Sequence, residues 1–295
     1  MLKTVCLTEK LHTQPNSAML LGGFDGLHVG HRRLLEYAKK SGLPIGVMTI
    51  VGGKETGMFT FLEREDVFRR AGVGFVFELP FDEIKSLNPE EFLALLEENF
   101  SPKLYVCGED FRFGAKAFGS PETIKERGQV CVEVLPLVEL DGEKVSSSTI
   151  KARLEKGDVQ AANALLGENF FLIGKVKEDR KVGRTLGFPT ANILYPKEKF
   201  PLKKGVSETR VSVDGKEYKG ITNYGARPTF NNEDVLTETY LDGFNGDLYG
   251  KTLKVEFVRF LRDIQKFENA ERLKEQLQTD VICIRNICEI DKKFE

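Results

Sequence analysis

The chain has 295 residues, 41% hydrophobic and 30% charged, a globular composition that excludes a disordered or collagen-like polypeptide. Its 43 Lys and Arg against 45 Asp and Glu leave a net charge of -2 and no long basic run, so no nucleic-acid partner is expected. No apolar stretch reaches the ~18 residues of a membrane span, and the first residues lack the charged-then-apolar order of a signal peptide.

The first half alternates between strand and helix signals. Ala18–Leu21 is a short apolar run that ends in glycines, a strand. From His31 to Lys40, Leu34, Leu35 and Ala38 share one helical face. Ile45–Ile50 reads as a strand, and Phe61–Ala71 as a helix with Leu62, Val67, Phe68 and Ala71 inward. Gly74–Leu79 is a strand. Asn88-Pro89-Glu90-Glu91 opens a helix, with Asn as cap, Pro first and Glu third. Leu104–Cys107 is a strand, Ser120-Pro121 starts a helix, and Val130–Leu135 is a strand. This alternation predicts a parallel sheet with helices on both faces.

After Leu166-Gly167 the helical periodicity stops. Phe170–Glu178, Thr209–Val213, Lys216–Thr222, Leu236–Leu241 and Lys251–Val258 are short β-type runs, with a hairpin signal at Asp214-Gly215. One helix follows, with Phe267, Ala270, Leu273 and Leu277 at helical spacing. The expectation is an α/β plus β chain, with a boundary near residues 160–170 and a closed barrel or sandwich in the second half. Five scattered cysteines (Cys6, Cys107, Cys131, Cys283, Cys288) form no disulfide framework. Cys283, in the apolar run Val281–Ile284, and Cys288 read as buried thiols, which points to a reducing cytoplasm.

Gly22-Gly23-Phe24-Asp25-Gly26-Leu27-His28-Val29-Gly30-His31 lies between the first strong strand and its helix. Ligands of an open α/β sheet bind there. Glycines let backbone approach a phosphate, and a helix start offers free N–H groups. His28 and His31, three apart, share a face and suit charge developing on a phosphate chain. Gly-x-Gly-x-x-Gly, the dinucleotide fingerprint, does not occur in this loop. A second segment, Gly183-Arg184-Thr185-Leu186-Gly187-Phe188-Pro189-Thr190-Ala191-Asn192, combines glycines, a cation, a hydroxyl and an amide. On residue types alone it reads as a turn, though its parts would also suit a triphosphate with Mg²⁺. Gly246–Thr252 looks like a P-loop with one residue too few between its glycines, and is rejected.

The Gly-x-Phe-Asp-Gly-x-His-x-Gly-His run resembles the nucleotidylyltransferase motif, and the chain resembles the bacterial bifunctional riboflavin kinase/FMN adenylyltransferase (FAD synthetase) family. Gly108–Gly114, Val145–Ile150 and Gly157-Asp158-Val159 are similar to that family too, as are Asn223–Phe230, Thr237–Leu241, Asn245–Gly250 and Leu261-Arg262-Asp263. The resemblance implies a Rossmann-like FMN adenylyltransferase module over residues 1–165 and a β-barrel riboflavin kinase module with a terminal helix over 166–295. It implies riboflavin, FMN and ATP as ligands, Mg²⁺ as cofactor, FMN and FAD as products, and a cytoplasmic location. In the first module it implies His28 and His31 as catalytic. Gly23, Phe24, Asp25, Gly26, Gly30, Ser147, Ser148, Lys151 and Arg153 would bind ATP, and Asp110 would line the flavin side. Phe111 and Phe113 read as core. In the second module it implies Glu238 as catalytic base, Gly183, Arg184 and Gly187 at ATP, Phe188 and Arg262 at flavin, and Thr190 and Asn192 at the metal. Two rivals stand beside this reading: a kinase with an impaired adenylyltransferase half, and a non-catalytic flavin sensor.

Overall fold

The computed structural model describes residues 2–6, 16–53, 56–177, 188–226 and 235–286. The chain divides into two compact units, Met1–Thr149 and Ile150–Glu295.

The first unit is built on a six-stranded parallel sheet. Its strands are β1 (Lys3–Cys6), β2 (Ala18–Leu20), β3 (Ile45–Val51), β4 (Phe75–Pro80), β5 (Leu104–Gly108) and β6 (Cys131–Leu135), in the order β1-β4-β3-β2-β5-β6. β2 is wholly buried, as a central strand covered on both faces must be. The chain moves from β2 to one side through β3 and β4, then returns to β2's other side with β5. That reversal opens a crevice at the carboxyl ends of β2 and β5. The loops carrying Gly22–His28 and Glu109–Gly119 leave from those two ends.

Helices α1 (Val29–Lys39), α2 (Phe61–Arg70), α3 (Phe81–Ile84), α4 (Pro89–Phe100) and α5 (Pro121–Arg127) connect the strands. α4 starts as its sequence requires. Asn88 accepts from the Glu91 N–H, Glu91 returns to the Asn88 N–H, and Pro89 takes the first turn. Its apolar face, Phe92, Leu93, Leu96 and Phe100, enters a core with Met19, Phe77 and Tyr105. The expectation for α2 needs correction at Leu62, which is 56% exposed. Leu62 precedes Val67 by five residues, about 140° round the helix, so both cannot face the core. Glu63 is buried instead, held in the capping box of Thr60.

Two short strands, β7 (Glu139–Leu140) and β8 (Glu143–Lys144), precede α6 (Ser147–Lys156). α7 (Val159–Leu166) follows in the second unit, with β9 (Phe170–Lys175), β10 (Thr190–Leu194), β11 (Gly205–Val213), β12 (Lys216–Ala226), β13 (Val235–Leu241), β14 (Thr252–Arg262) and α8 (Ala270–Asn286). α7 packs on β9 and β14, and the Asn163 side chain secures the joint: Oδ1 accepts from Phe170 N–H and Nδ2 donates to Phe257 O. The six strands form one antiparallel sheet, β10-β13-β12-β11-β14-β9. It curls until its edge strands meet, where Lys177 N–H donates to Asn192 O at 2.8 Å. At the hairpin, Asp214 (φ 51°) and Gly215 (φ 74°) both take the left-handed region. β10 occupies part of the segment read from residue types as a turn.

The inner face of this sheet carries a row of satisfied hydroxyls. Thr222 bonds Thr209 and Thr239 at 2.9 Å each. The outer face is covered by α8, whose Val281 and Ile284 pack with Val206, Ile221, Phe188 and Tyr240. Only one side of a helix can do this, so Cys283 is turned outward and the expectation of a buried thiol there is corrected. Cys131 is also exposed, whereas Cys107 is buried and its thiol is pushed up to about 12 by desolvation. Cys288 lies outside the described residues.

Gly46 in β3 marks how closely the first sheet is packed. A Cβ there would stand 2.2 Å from the Phe77 ring. Gly46→Ala is expected to cost about 1–3 kcal/mol by overpacking, read as a lower urea midpoint; an unchanged midpoint would contradict this packing.

Candidate functional site

In the first unit the crevice widens into a cavity of about 510 Å³ lined by Gly22, Gly23, His28, Gly30, His31 and Asp110, among others. His28 caps α1: its Nδ1 accepts from the His31 backbone N–H at 3.2 Å. An accepting Nδ1 leaves the neutral ring's proton on Nε2. His31 has the opposite tautomer, because its Nδ1 lies 2.9 Å from Gly26 O and must donate. The two rings stack with centroids 3.6 Å apart and 16° between planes, and Phe24 packs on His31 at 4.2 Å. The neutral pair thus presents one Nε2–H donor and one bare, basic Nε2.

The glycines of this loop make room. A Cβ on Gly30 would press the His28 ring at 3.2 Å, and Gly26 (φ +143°) lies against Phe59. Phe24 itself takes φ 30°, a strained value for a side-chain-bearing residue. Phe24 and Asp25 build the loop from behind. Phe24 is buried, and Asp25 Oδ2 accepts from Met58 N–H at 2.8 Å, tying this loop to the next.

Across the cavity Asp110 pairs with Lys144 at 2.7 Å. Phe113 is core, as expected, packed on Phe92, while the half-buried Phe111 stacks on Phe113 and lines the wall. The first turn of α6 brings Ser147 to the cavity, with Ser146 Oγ accepting from Thr149 N–H at 3.1 Å. Ser148 does not line it. Lys151 and Arg153 belong to the second unit, Lys151 over the Phe200 ring and Arg153 paired with Asp158 at 3.0 Å. The apolar wall, including Met48, Ile50, Ile84 and Pro136, went unread in the sequence because it comes from several separate segments.

In the second unit strand register assembles the other constellation. Glu238 on β13 faces Asn192 on β10 and Asn223 on β12, and Thr190 faces Tyr240. Directly paired residues share a sheet face, as do residues two apart, so Thr190, Asn192, Glu238, Tyr240 and Asn223 stand together on the face that α8 partly covers. Asn192 is 7% exposed. Among the described residues, no donor reaches the buried Oδ1 of Asn192 or of Asn223. Phe188 packs edge-on against Tyr240, centroids 5.4 Å apart. Arg262 holds Asp280 of α8 in a two-pronged pair, Nε to Oδ1 at 3.1 Å and Nη2 to Oδ2 at 2.7 Å. It thereby clasps the terminal helix, a partner that its own sequence neighbourhood did not announce. Gly183, Arg184 and Gly187 lie outside the described residues, as do Arg227–Phe230.

Mg²⁺ is a hard cation that takes oxygen ligands and few of them from protein. The hydroxyl of Thr190 and the unsatisfied carboxamide oxygen of Asn192 fit that requirement.

Family models agree with both halves. A FAD synthetase model matches residues 10–149 and a riboflavin kinase model matches 166–288. A Bacillus subtilis bifunctional riboflavin kinase/FMN adenylyltransferase is 33% identical over 304 residues, covering 95% of this chain and 96% of the relative. The chain belongs to this family. A Buchnera aphidicola relative of the same description is 31% identical, covering 94% of this chain and 95% of its own. A solved Streptococcus pneumoniae structure matches with a TM-score of 0.87 at 30% identity, covering 96% of this chain and 99% of that one. It is described as a macrolide-efflux protein. In the present chain, no helix among the described residues is long and apolar enough to cross a membrane. The chain carries a FAD synthetase domain and a riboflavin kinase domain; residues 150–165, in α6 and α7, fall between the two matches.

Burial sets the protonation of the histidine pair. Desolvation, with the charge of the neighbouring ring added, lowers His28 from 6.5 to about 2. Desolvation also lowers His31 from 6.5 to about 4, against a pull upward from Gly26 O. Unfolding returns both rings to ordinary values, so below pH 6.5 the unfolded chain binds protons that the folded chain refuses. Stability from this pair is complete above pH 6.5 and is lost as pH falls toward 4. Urea midpoints should therefore drop between pH 7.5 and 4.5, and more shallowly in His28→Asn/His31→Gln; equal slopes would contradict the buried neutral pair.

Proposed function

We propose that the chain makes FAD from riboflavin in two ATP-dependent steps, each in its own module. The proposed module boundary is 165/166; the start of the kinase family match at 166 supports it, while the compact units divide at 149/150. The observation that carries the reading is the register pairing of Glu238 with Asn192 in a unit that packs separately from the histidine cavity.

In the kinase module Glu238 accepts the proton of the riboflavin 5′-hydroxyl as that oxygen attacks the γ-phosphorus of ATP, and ADP leaves. Thr190 and Asn192 would hold Mg²⁺, which would supply positive charge to the transferring phosphate. Phe188 and Tyr240 provide apolar surface beside Glu238. Gly183, Arg184 and Gly187 supply the nucleotide loop.

In the adenylyltransferase module a phosphate oxygen of FMN attacks the α-phosphorus of ATP, and pyrophosphate leaves. Positioning and charge stabilisation do the catalysis. The His28 Nε2–H donates to a phosphate oxygen. A polyanion beside the rings favours their charged forms, so substrate raises the affinity of His31 Nε2 for a proton exactly where negative charge builds. The glycine loop and the first turn of α6, with Ser147, offer N–H and O–H donors. The apolar wall with Phe111 takes the flavin ring, and Asp110 lines its polar edge. Dependence on ATP and Mg²⁺ suits the cytoplasm.

Two variants separate the steps. Glu238→Gln should abolish FMN formation from riboflavin and leave FAD formation from supplied FMN. His28→Ala should lower FAD formation about 100-fold or more and leave FMN formation. Chromatography of flavins after incubation with ATP and Mg²⁺ reads both; loss of both reactions in either folded variant would refute independent sites.

A further inference from the structure

Nothing above gives Asn223 a role, yet it stands beside the proposed base. Its cross-strand partner on β13 is Glu238, whose partner on the other side is Asn192. Neighbouring strands lie about 4.8 Å apart, so the two carboxamides flank the carboxylate at one strand spacing each. Both Oδ1 atoms are buried and neither has a donor among the described residues. The opposite face of the same strands shows what the fold does with polar groups that only support structure. There Thr209, Thr222 and Thr239 satisfy one another in an unbroken chain. An oxygen left without a donor next to the base is prepared for a donor that arrives with a ligand.

We propose that Asn223 binds riboflavin through the ribityl hydroxyl adjacent to the one that is phosphorylated. The inference rests on the kinase reading and extends it to substrate specificity. A carboxamide oxygen only accepts, so its ligand must bring an O–H, an N–H or a cation. The triphosphate of ATP brings none of these. The cation is already provided for by Thr190 and Asn192 on β10, across Glu238 from Asn223, and Mg²⁺ takes few protein ligands. The polyol chain of riboflavin brings hydroxyl donors in sequence. One hydroxyl held by Asn223 fixes the torsion of the terminal carbon and turns the reacting hydroxyl toward Glu238. Asn223 is then a substrate-binding residue that also sets selectivity for the hydroxylated chain.

The test uses the full-length chain, wild type and Asn223→Ala, with riboflavin and 4′-deoxyriboflavin, which lacks the adjacent hydroxyl. The wild type should prefer riboflavin by about tenfold in kcat/KM, and the variant should treat the two alike. Flavin fluorescence quenching should show the same loss in riboflavin affinity. The ATP KM, the Mg²⁺ concentration for half-maximal rate, the thermal midpoint and FAD formation from supplied FMN should not move. An unmoved thermal midpoint excludes a purely structural role; Asn223→Ser, which retains an oxygen acceptor, should recover part of the preference. A variant that keeps the full preference for riboflavin, or one that shifts only the Mg²⁺ requirement, overturns the assignment. A wild-type chain that forms no FMN overturns the kinase reading instead, and the fluorescence comparison then still decides whether Asn223 holds the hydroxyl.

Discussion

Strand register is the constraint on which the Glu238, Asn192 and Asn223 cluster depends. Side chains alternate faces along a strand, so a one-residue slip of β13 against β10 would turn Glu238 inward toward Thr209 and Thr222 and carry Thr239 outward. The same slip would put threonine hydroxyls on the face beneath α8. The register is held from both sides. Apolar outer-face residues pack on Val281 and Ile284, and the inner hydroxyls of Thr209, Thr222 and Thr239 bond one another in this alignment. In the first unit, parallel pairing of β2 with both β3 and β5 does the equivalent work, because it sets the loops after β2 and β5 side by side.

Polar burial distinguishes structural parts from prepared ones. Asp280 is buried and fully engaged by Arg262 and Gln276, so it locks α8. Asn163 satisfies both ends of its carboxamide across α7, β9 and β14. Of the stacked histidines His28 is buried and His31 half-buried, and both remain uncharged, each with one ring nitrogen bonded to the backbone. A charged pair at a 3.6 Å stacking distance would repel strongly in such a setting. Asn192 and Asn223 each carry a buried carboxamide oxygen with no donor among the described residues.

Local chemistry explains which expectations were legible. The Asn88 capping box, the Asp214-Gly215 hairpin and the helix after His28 are decided within a few residues, by hydrogen bonds and backbone angles that depend on neighbours in sequence. β10 was hidden because Thr190–Leu194 follows a Gly- and Pro-rich stretch, and its strand state comes from pairing with β13, about fifty residues away. Leu62 and Cys283 misled because hydrophobicity says that a residue can be buried, whereas helix phase says which side it is on. Arg262, expected at the flavin, also pairs with Asp280 of α8, a partner that its sequence neighbours do not show.

The sequence alone determined the two-module order, the alternation of strand and helix before residue 166, the β-rich half after it, and the motifs that carry His28, His31, Thr190, Asn192 and Glu238. These follow from periodicity, capping and motif chemistry, all properties of short segments. Tertiary structure alone decided the opposite tautomers of the two histidines, the apolar wall of the cavity, the clasp of Arg262 on Asp280 and the place of Asn223 beside Glu238. Each of these depends on atoms far apart in the chain, whose distances and burial exist only once the sheets have paired and closed.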